Sequence, residues 1–277
     1  MRNTLFVLLF FVAVASNAQS RQIQAGDEAF KNMQYIEALD EYEKALSKAS
    51  PSEAMSIHHK LAKTWLVINQ PAEAIDHLEI LVGSDWIDQY PSLYLDYANA
   101  LRSTGEYEDA IVYYEKHLEK SEGDEYALAG IKSCKMMLGG SYEEAPYIIK
   151  NALFLNSIYD DFAPFYSDRY LKELTFASNR PDATGKEIDN WTGEEFSDLF
   201  ETDRNRQGEW SPPAPVGRGD NINTPANEGV ACVDNRARTL YFTRCENQAD
   251  ENIHCAIYQA SRAGSGWSRD RVVLMDP

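Results

Sequence analysis

The chain has 277 residues, 44% of them hydrophobic, with 26 Lys and Arg against 44 Asp and Glu for a formal net charge of −18. That length and apolar content suffice for two modest domains. So acidic a balance excludes unaided binding to nucleic acid or to anionic lipid, both of which need clustered cations.

Residues 1–18 read as an address. Arg2 precedes the apolar run Leu5 to Ala15, and the small and polar residues Ser16-Asn17-Ala18-Gln19 follow. This is the order of a secretory signal peptide, with cleavage expected after Ala18. The apolar run is short for a membrane span. No later segment is apolar enough to cross one, so an exported protein without a transmembrane segment is expected.

Residues 19–138 are patterned as helices. Tyr35-Ile36-Glu37-Ala38-Leu39, Pro71-Ala72-Glu73-Ala74-Ile75 and Tyr107-Glu108-Asp109-Ala110-Ile111 are one phrase written three times, with central alanines 36 residues apart. Tyr42, Leu78 and Tyr114 recur four residues after each alanine, then Ala45, Leu81 and His117. Upstream, Gly26, Ala62 and Ala98 supply small residues where a preceding helix must approach closely. Asp124 to Leu138 reads as a further helix covering the last pair.

These residues resemble the tetratricopeptide repeat, a helix-turn-helix unit of about this period, over Gln22 to Ser121. The resemblance implies three repeats with a capping helix, and a partner groove lined by the first helix of each pair. Carried over by position, that groove presents Ile23, Asp27 and Phe30, then His59, Lys63 and Leu66, then Leu95, Asn99 and Arg102. The set lacks the basic clamp that some members close on a C-terminal carboxylate. It departs from the pattern at Pro71 and His117, and Pro71 falls at a turn.

Residues 139–152 are expected to be a linker, because Gly139-Gly140-Ser141 breaks the helical period. Within and beyond it, Tyr147 to Phe154 is a β-prone run expected to form a strand. Residues 153–277 then say one thing twice. Asn156, Ser157, Pro164 and Phe165 fall on Asn223, Thr224, Ala231 and Cys232, 67 residues on, and Phe176 falls on Phe242. Asp198-Leu199-Phe200 matches Ala256-Ile257-Tyr258. Gly208-Glu209-Trp210 matches Ser265-Gly266-Trp267.

Each copy predicts four short strands, the content of a propeller blade. They run over Phe162–Ser167, Leu174–Ser178, Asp198–Arg204 and Ala214–Gly217, then Gly229–Val233, Leu240–Arg244, Cys255–Ser261 and Val272–Met275. Propellers close with about four to eight blades. The expected fold is thus α + β multidomain: a tetratricopeptide α-solenoid followed by an incomplete, truncated β-propeller of about two blades.

Of the four cysteines, Cys245 and Cys255 carry an expectation. If Phe242 faces Tyr258 in an antiparallel hairpin, Cys245 faces Cys255, and an exported protein favours a disulfide there. Two buried thiols are the alternative. Cys134 and Cys232 read as small core residues. Asp203 to Gly208 lacks the closing glutamate of a calcium loop, with Ala214 in its place, and reads as a turn.

Catalytic motifs of the nucleophile-elbow, zinc-helix and phosphate-loop kinds do not occur, and neither a metal nor a cofactor is expected. The β phrases DDFAPFYSD, LTFASNRPD and TLYFTR resemble the WD-like propeller repeat, akin to the TolB propeller, of bacterial envelope proteins. The order signal peptide, tetratricopeptide repeats, propeller resembles the N-terminal part of OmpA-family envelope proteins of the Bacteroidetes type. That resemblance implies a non-enzymatic scaffold of the periplasm or the periplasmic face of the outer membrane. Its partners would be other envelope proteins or peptides, as in type IX secretion and gliding assemblies. Peptidoglycan would be bound only through a domain beyond Pro277. Two other readings stay open: the N-terminal region of a propeller-bearing exported peptidase, and a helical-repeat carbohydrate-binding protein.

Overall fold

The computed structural model describes residues 21–140, 148, 150–217, 222–247, 253–264 and 266–273. The expected signal peptide and most of the expected linker lie outside the described residues. The helices and the strands form two compact units. None of the described helices is long and apolar enough to cross a membrane.

Among the described residues, seven helices make the first unit: α1 (residues 21–31), α2 (Tyr35–Leu46), α3 (Pro51–Val67), α4 (Pro71–Val82), α5 (Leu93–Thr104), α6 (Tyr107–Lys120) and α7 (Glu125–Gly139). Their boundaries follow from local chemistry. Pro51 and Pro71 start α3 and α4, where the missing N–H costs nothing. Asp124 caps α7, its Oδ1 accepting from the Ala127 N–H at 3.0 Å. Gly105, at φ 96°, ends α5 in the left-handed conformation that glycine adopts without strain. Pro91 delays α5, so a 3-10 turn over Asp85–Asp88 replaces the start of that helix.

The small residues act as the period requires. Ala38, Ala74 and Ala110 are wholly buried, as are Ala62 and Ala98 to within 1%. A Cβ on Gly26 would stand 2.5 Å from the ring of Tyr42, so that ring lies directly on the glycine backbone. One core cluster fills the first pair around Leu39, Tyr42, Ile57 and Leu61, and a second runs through the later pairs around Leu78, Leu81, Leu101 and Tyr114.

The second unit holds two antiparallel sheets. β1 (Asp161–Tyr166), β2 (Glu173–Ser178), β3 (Asp198–Asp203) and β4 (Ala214–Pro215) pair in chain order. β5 (Asn227–Val233), β6 (Thr239–Asn247) and β7 (Ile253–Ala263) repeat that order, and β7 also pairs with β8 (Gly266–Trp267) and β9 (Arg271–Val272). Among the described residues, neither sheet closes on itself.

The two sheets share their turn chemistry as well as their order. Asp168 accepts backbone N–H bonds from Tyr170, Lys172 and Glu173, and Asp234 accepts them from Arg238 and Thr239. The neighbours Leu171 and Ala237 both turn the chain at positive φ, 56° and 53°. The turn expected before Trp210 forms with Gly208 at φ 88° and Asn205 accepting two backbone N–H bonds. Arg204 then lies over Trp210 as Arg262 lies over Trp267.

Each sheet also carries an arginine held in the same way, partly buried at Arg180 and buried at Arg244. Arg180 Nη2 donates to the Leu155 carbonyl at 2.8 Å and pairs with Asp161 at 2.5 Å. Arg244 repeats this, with the Ile222 carbonyl at 2.7 Å and Glu228 at 2.5 Å. Ser157 and Thr224 donate to the same two carboxylates. Asp161 thus accepts hydrogen bonds from Ser157 at the turn and is ion-paired as well.

The sheets pack face to face around Ala177, Leu199, Val216, Ile222, Ala231, Leu240 and Phe242. Asn223 ties them. Its Oδ1 accepts from the Leu199 N–H at 3.0 Å, and its Nδ2 donates to the Leu199 carbonyl at 2.9 Å.

Two expectations need correction. Residues 153–155 form a turn, with Leu153 and Phe154 largely exposed, so the β-prone run is not a strand where it is described. Strand propensity there has no neighbouring strand to realise it. Cys232 is exposed rather than a core residue. It alternates with buried Ala231 along β5 and lies on the exposed side of the strand with Val230, whereas Phe165, its counterpart, packs against the inter-sheet core. Cys134 is buried.

Phe242 faces Tyr258 and Cys245 faces Cys255 in the β6–β7 register. The two sulfurs are bonded, and their Cα atoms lie 4.0 Å apart, inside the usual disulfide minimum of about 4.4 Å.

Candidate partner groove

The nine expected groove positions lie on α1, α3 and α5, and they divide by role. Ile23 and Leu95 pack against the two core clusters, so both serve the stack. Phe30 is half-buried beneath Lys63, whose Nζ lies 5.1 Å from the ring centre. Asp27 takes the Tyr42 hydroxyl at 2.8 Å and pairs with Lys60 at 2.5 Å. Asn99 and Arg102 both hold the Tyr114 hydroxyl, at 2.7 Å and 3.0 Å.

His59, Lys63 and Leu66 come together on one cavity of about 420 Å³. Ala62, Val67, Leu78, Leu93 and Asp96 complete its walls. These five were not among the expected groove positions, although the exchange of Leu78 for tyrosine within the 36-residue period was a signal that could have marked them. His59 is held at the rim, its ring 4.9 Å from Tyr90, which itself stacks on Trp86 at 5.0 Å. The walls are apolar at the base and carry one cation and one carboxyl at the mouth. Burial pushes the Asp96 carboxyl up, with His117 opposing.

Next to His59 on α3, but outside the cavity lining, His58 meets His77 of α4 with their Nδ1 atoms 3.0 Å apart. One hydrogen serves that contact, so the ring that accepts it is neutral when it forms. Burial lowers the pKa of both rings, and that of His59, where Lys63 and Lys60 add to the effect. Asp76 works in the opposite direction on His77.

The sign of the pH dependence follows. The folded values lie below the ordinary 6.5, so the unfolded chain takes up protons first as pH falls. Stability contributed by the neutral rings is complete above 6.5 and is lost as pH drops through the folded values. The helical signal in a thermal melt is expected to fall between about pH 7.5 and about pH 5.5. Replacing both His58 and His77 by asparagine should flatten that dependence; an equal slope in the variant would remove these rings as its source.

Among the described residues no group of three or more His, Cys, Asp or Glu side chains converges in a way that could hold a metal ion. In the β unit a second cavity, about 210 Å³, opens on the face of the first sheet beside Leu155, Asn156, Phe162, Leu174 and Phe176.

No protein-family model matches the chain, and no curated protein does. Solved structures do. The first TPR of Spaghetti (RPAP3), bound to an HSP90 peptide, is 22% identical with TM-score 0.38 over 45% of this chain and 95% of its own. The Sgt2 TPR domain from Aspergillus fumigatus is 21% identical with TM-score 0.37, over 48% and 90%. YrrB, a TPR protein with an unusual peptide-binding site, is 20% identical with TM-score 0.41, over 46% and 63%. By its own stacked helix pairs and 36-residue spacing, the first half of this chain is tetratricopeptide-like, and antiparallel sheets follow it.

Proposed function

We propose that the chain is a non-enzymatic protein–protein interaction scaffold, in which the groove of the helical unit takes a peptide segment of another protein. The observation that carries this is the open cavity at the middle of the groove, where His59, Lys63 and Leu66 converge from one helix. Such a concave, mostly apolar site with a few polar groups at its mouth is the usual form of a binding pocket. The signal-peptide pattern in residues 1–18 supports an exported protein. Together with the resemblance to OmpA-family proteins, it favours a partner in the bacterial envelope, and a secretion or gliding assembly is the setting that resemblance suggests.

The same reading takes the two sheets as neighbouring blades of a propeller. What supports it is their shared motif and the position of Asn156. Asn223 grips the main chain of Leu199 in the sheet before it. Asn156, its counterpart, donates instead to Asn151 beside an open apolar cavity. A further sheet of the same repeat fits that face by the same two bonds.

Selection of random peptides on the full chain tests the groove. Micromolar binders are expected, and Lys63→Glu with Leu66→Asp should weaken them at least tenfold while the helical circular dichroism is retained. Binders indifferent to both substitutions would refute the groove as the site.

A further inference from the structure

We infer that the middle-repeat cavity is a pocket for a tyrosine side chain of the partner. The inference rests on the groove reading above and names what the groove selects. Its ground is that the chain already shows the same site occupied twice, by its own residues.

Tyr42 and Tyr114 fill the first and third repeats, both wholly or almost wholly buried. Their surroundings map onto the cavity at intervals of 36 residues. In the first repeat the Tyr42 ring lies on Gly26, its hydroxyl reaches Asp27, and Lys60 stands 5.7 Å from the ring centre. The equivalent residues in the second repeat are Ala62, Lys63 and Asp96, and all three line the cavity. In the third repeat, Asn99 and Arg102 hold the Tyr114 hydroxyl, and Arg102 corresponds to Leu66, also in the lining. Position 78 itself holds leucine, which has neither ring nor hydroxyl. The cavity is what its absence leaves.

The polar groups at the mouth match this occupant. The first repeat offers the phenol a carboxylate from its own first helix and a lysine from the next. In the second repeat the two exchange places, with Lys63 on the first helix and Asp96 on the next. A phenol hydroxyl, which both donates and accepts, suits either arrangement. A phenylalanine would use the apolar base of Leu78 and Leu93 alone. The aromatic ring supplies the area of a binding anchor, and the hydroxyl supplies selectivity, because a polar group left unpaired in the pocket is costly.

The probe is p-cresol, the free form of the tyrosine side chain, with toluene as the control that lacks the hydroxyl. On the full chain with labelled leucine methyls, p-cresol is expected to shift the signals of Leu66, Leu78 and Leu93. Toluene should bind about threefold to tenfold more weakly, the ratio one hydrogen bond confers. Leu78→Tyr places the repeat's own ring in the site and should abolish the shifts. Tyr94 stands where the third repeat has Gly130 under the Tyr114 ring, so the helical circular dichroism checks that this variant folds, and Leu66→Asp, which should abolish the cresol shifts of Leu78 and Leu93 as well, serves beside it. Shifts that persist in Leu78→Tyr, or an absence of shifts in the parent, would overturn the inference. Peptides that bind the groove without any dependence on tyrosine would overturn it too, while leaving the groove itself in place. Conversely, cresol binding lost in Leu78→Tyr with no peptide selected would keep the pocket and remove the peptide reading.

Discussion

Arg244→Met is expected to destabilise the β unit by about 3–5 kcal/mol, the cost of leaving a buried charge without its partner. Arg244 is 6% exposed, and Glu228 is fully buried. The guanidinium donates to Glu228 at 2.5 Å and to the Ile222 carbonyl at 2.7 Å, pairs with the Asp270 carboxylate at 2.7 Å, and lies 4.3 Å from the centre of the Tyr258 ring. Methionine keeps part of the apolar stem and none of these bonds. Burial already pushes the Glu228 carboxyl up to about 7, against the hydrogen bonds from Thr224 and Arg244.

The pH sign separates this cause from simple loss of packing. Glu228 has a folded value above its unfolded 4.5, so the neutral form favours folding, and the contribution is lost as pH rises through about 7. Removing Arg244 raises the folded value further, so the deficit of the variant should be largest near about pH 8 and shrink toward about pH 5. Hydrogen exchange of β5, β6 and β7 amides in increasing urea reports the β unit by itself. A loss below about 1 kcal/mol, or one indifferent to pH, would show that the pair does not hold the second sheet.

Repetition explains which parts of this molecule were legible in the sequence. The helical phrase recurs at 36 residues, so the alanine and glycine positions identify the packed faces by spacing alone. The β motif recurs at 67, and the β6–β7 register follows from one aromatic pair, which brings Cys245 opposite Cys255. What repetition hides is the exception. Leu78 matches its counterparts in being apolar, and only its size and missing hydroxyl make the cavity, a difference of packing rather than of pattern. Asp96 looks like an ordinary solvated carboxyl of a first helix, yet it turns into that cavity. Cys232 misled for a related reason. Periodicity along β5 sets which residues share a face, but burial depends on whether another layer covers that face. Ile23 and Leu95, expected in the groove, also pack against the core clusters, because a helix in a stack offers adjacent stripes to the groove and to its neighbours.

Tyr114→Ala is expected to cost the helical unit about 3–5 kcal/mol, the range for removing a large buried aromatic side chain. The ring is fully buried, and its hydroxyl joins Asn99 to Arg102 across the pair α5 and α6. The ring also dictates a residue on the next helix. A Cβ on Gly130 would stand 2.3 Å from its Cζ, so α7 can approach α6 only with glycine there. Gly130→Ala in the parent therefore forces an overlap, worth about 1–3 kcal/mol as overpacking. In the background of Tyr114→Leu, which copies the middle repeat, the overlap disappears. Alanine then has the better helix propensity, by about 1 kcal/mol. The same substitution should change from destabilising to neutral or stabilising, a coupling that only residues in contact show. Urea unfolding of the four chains in this cycle, followed by helical circular dichroism, measures it. Additive costs would mean that Gly130 is required by the backbone of α7 itself and not by the tyrosine lying on it.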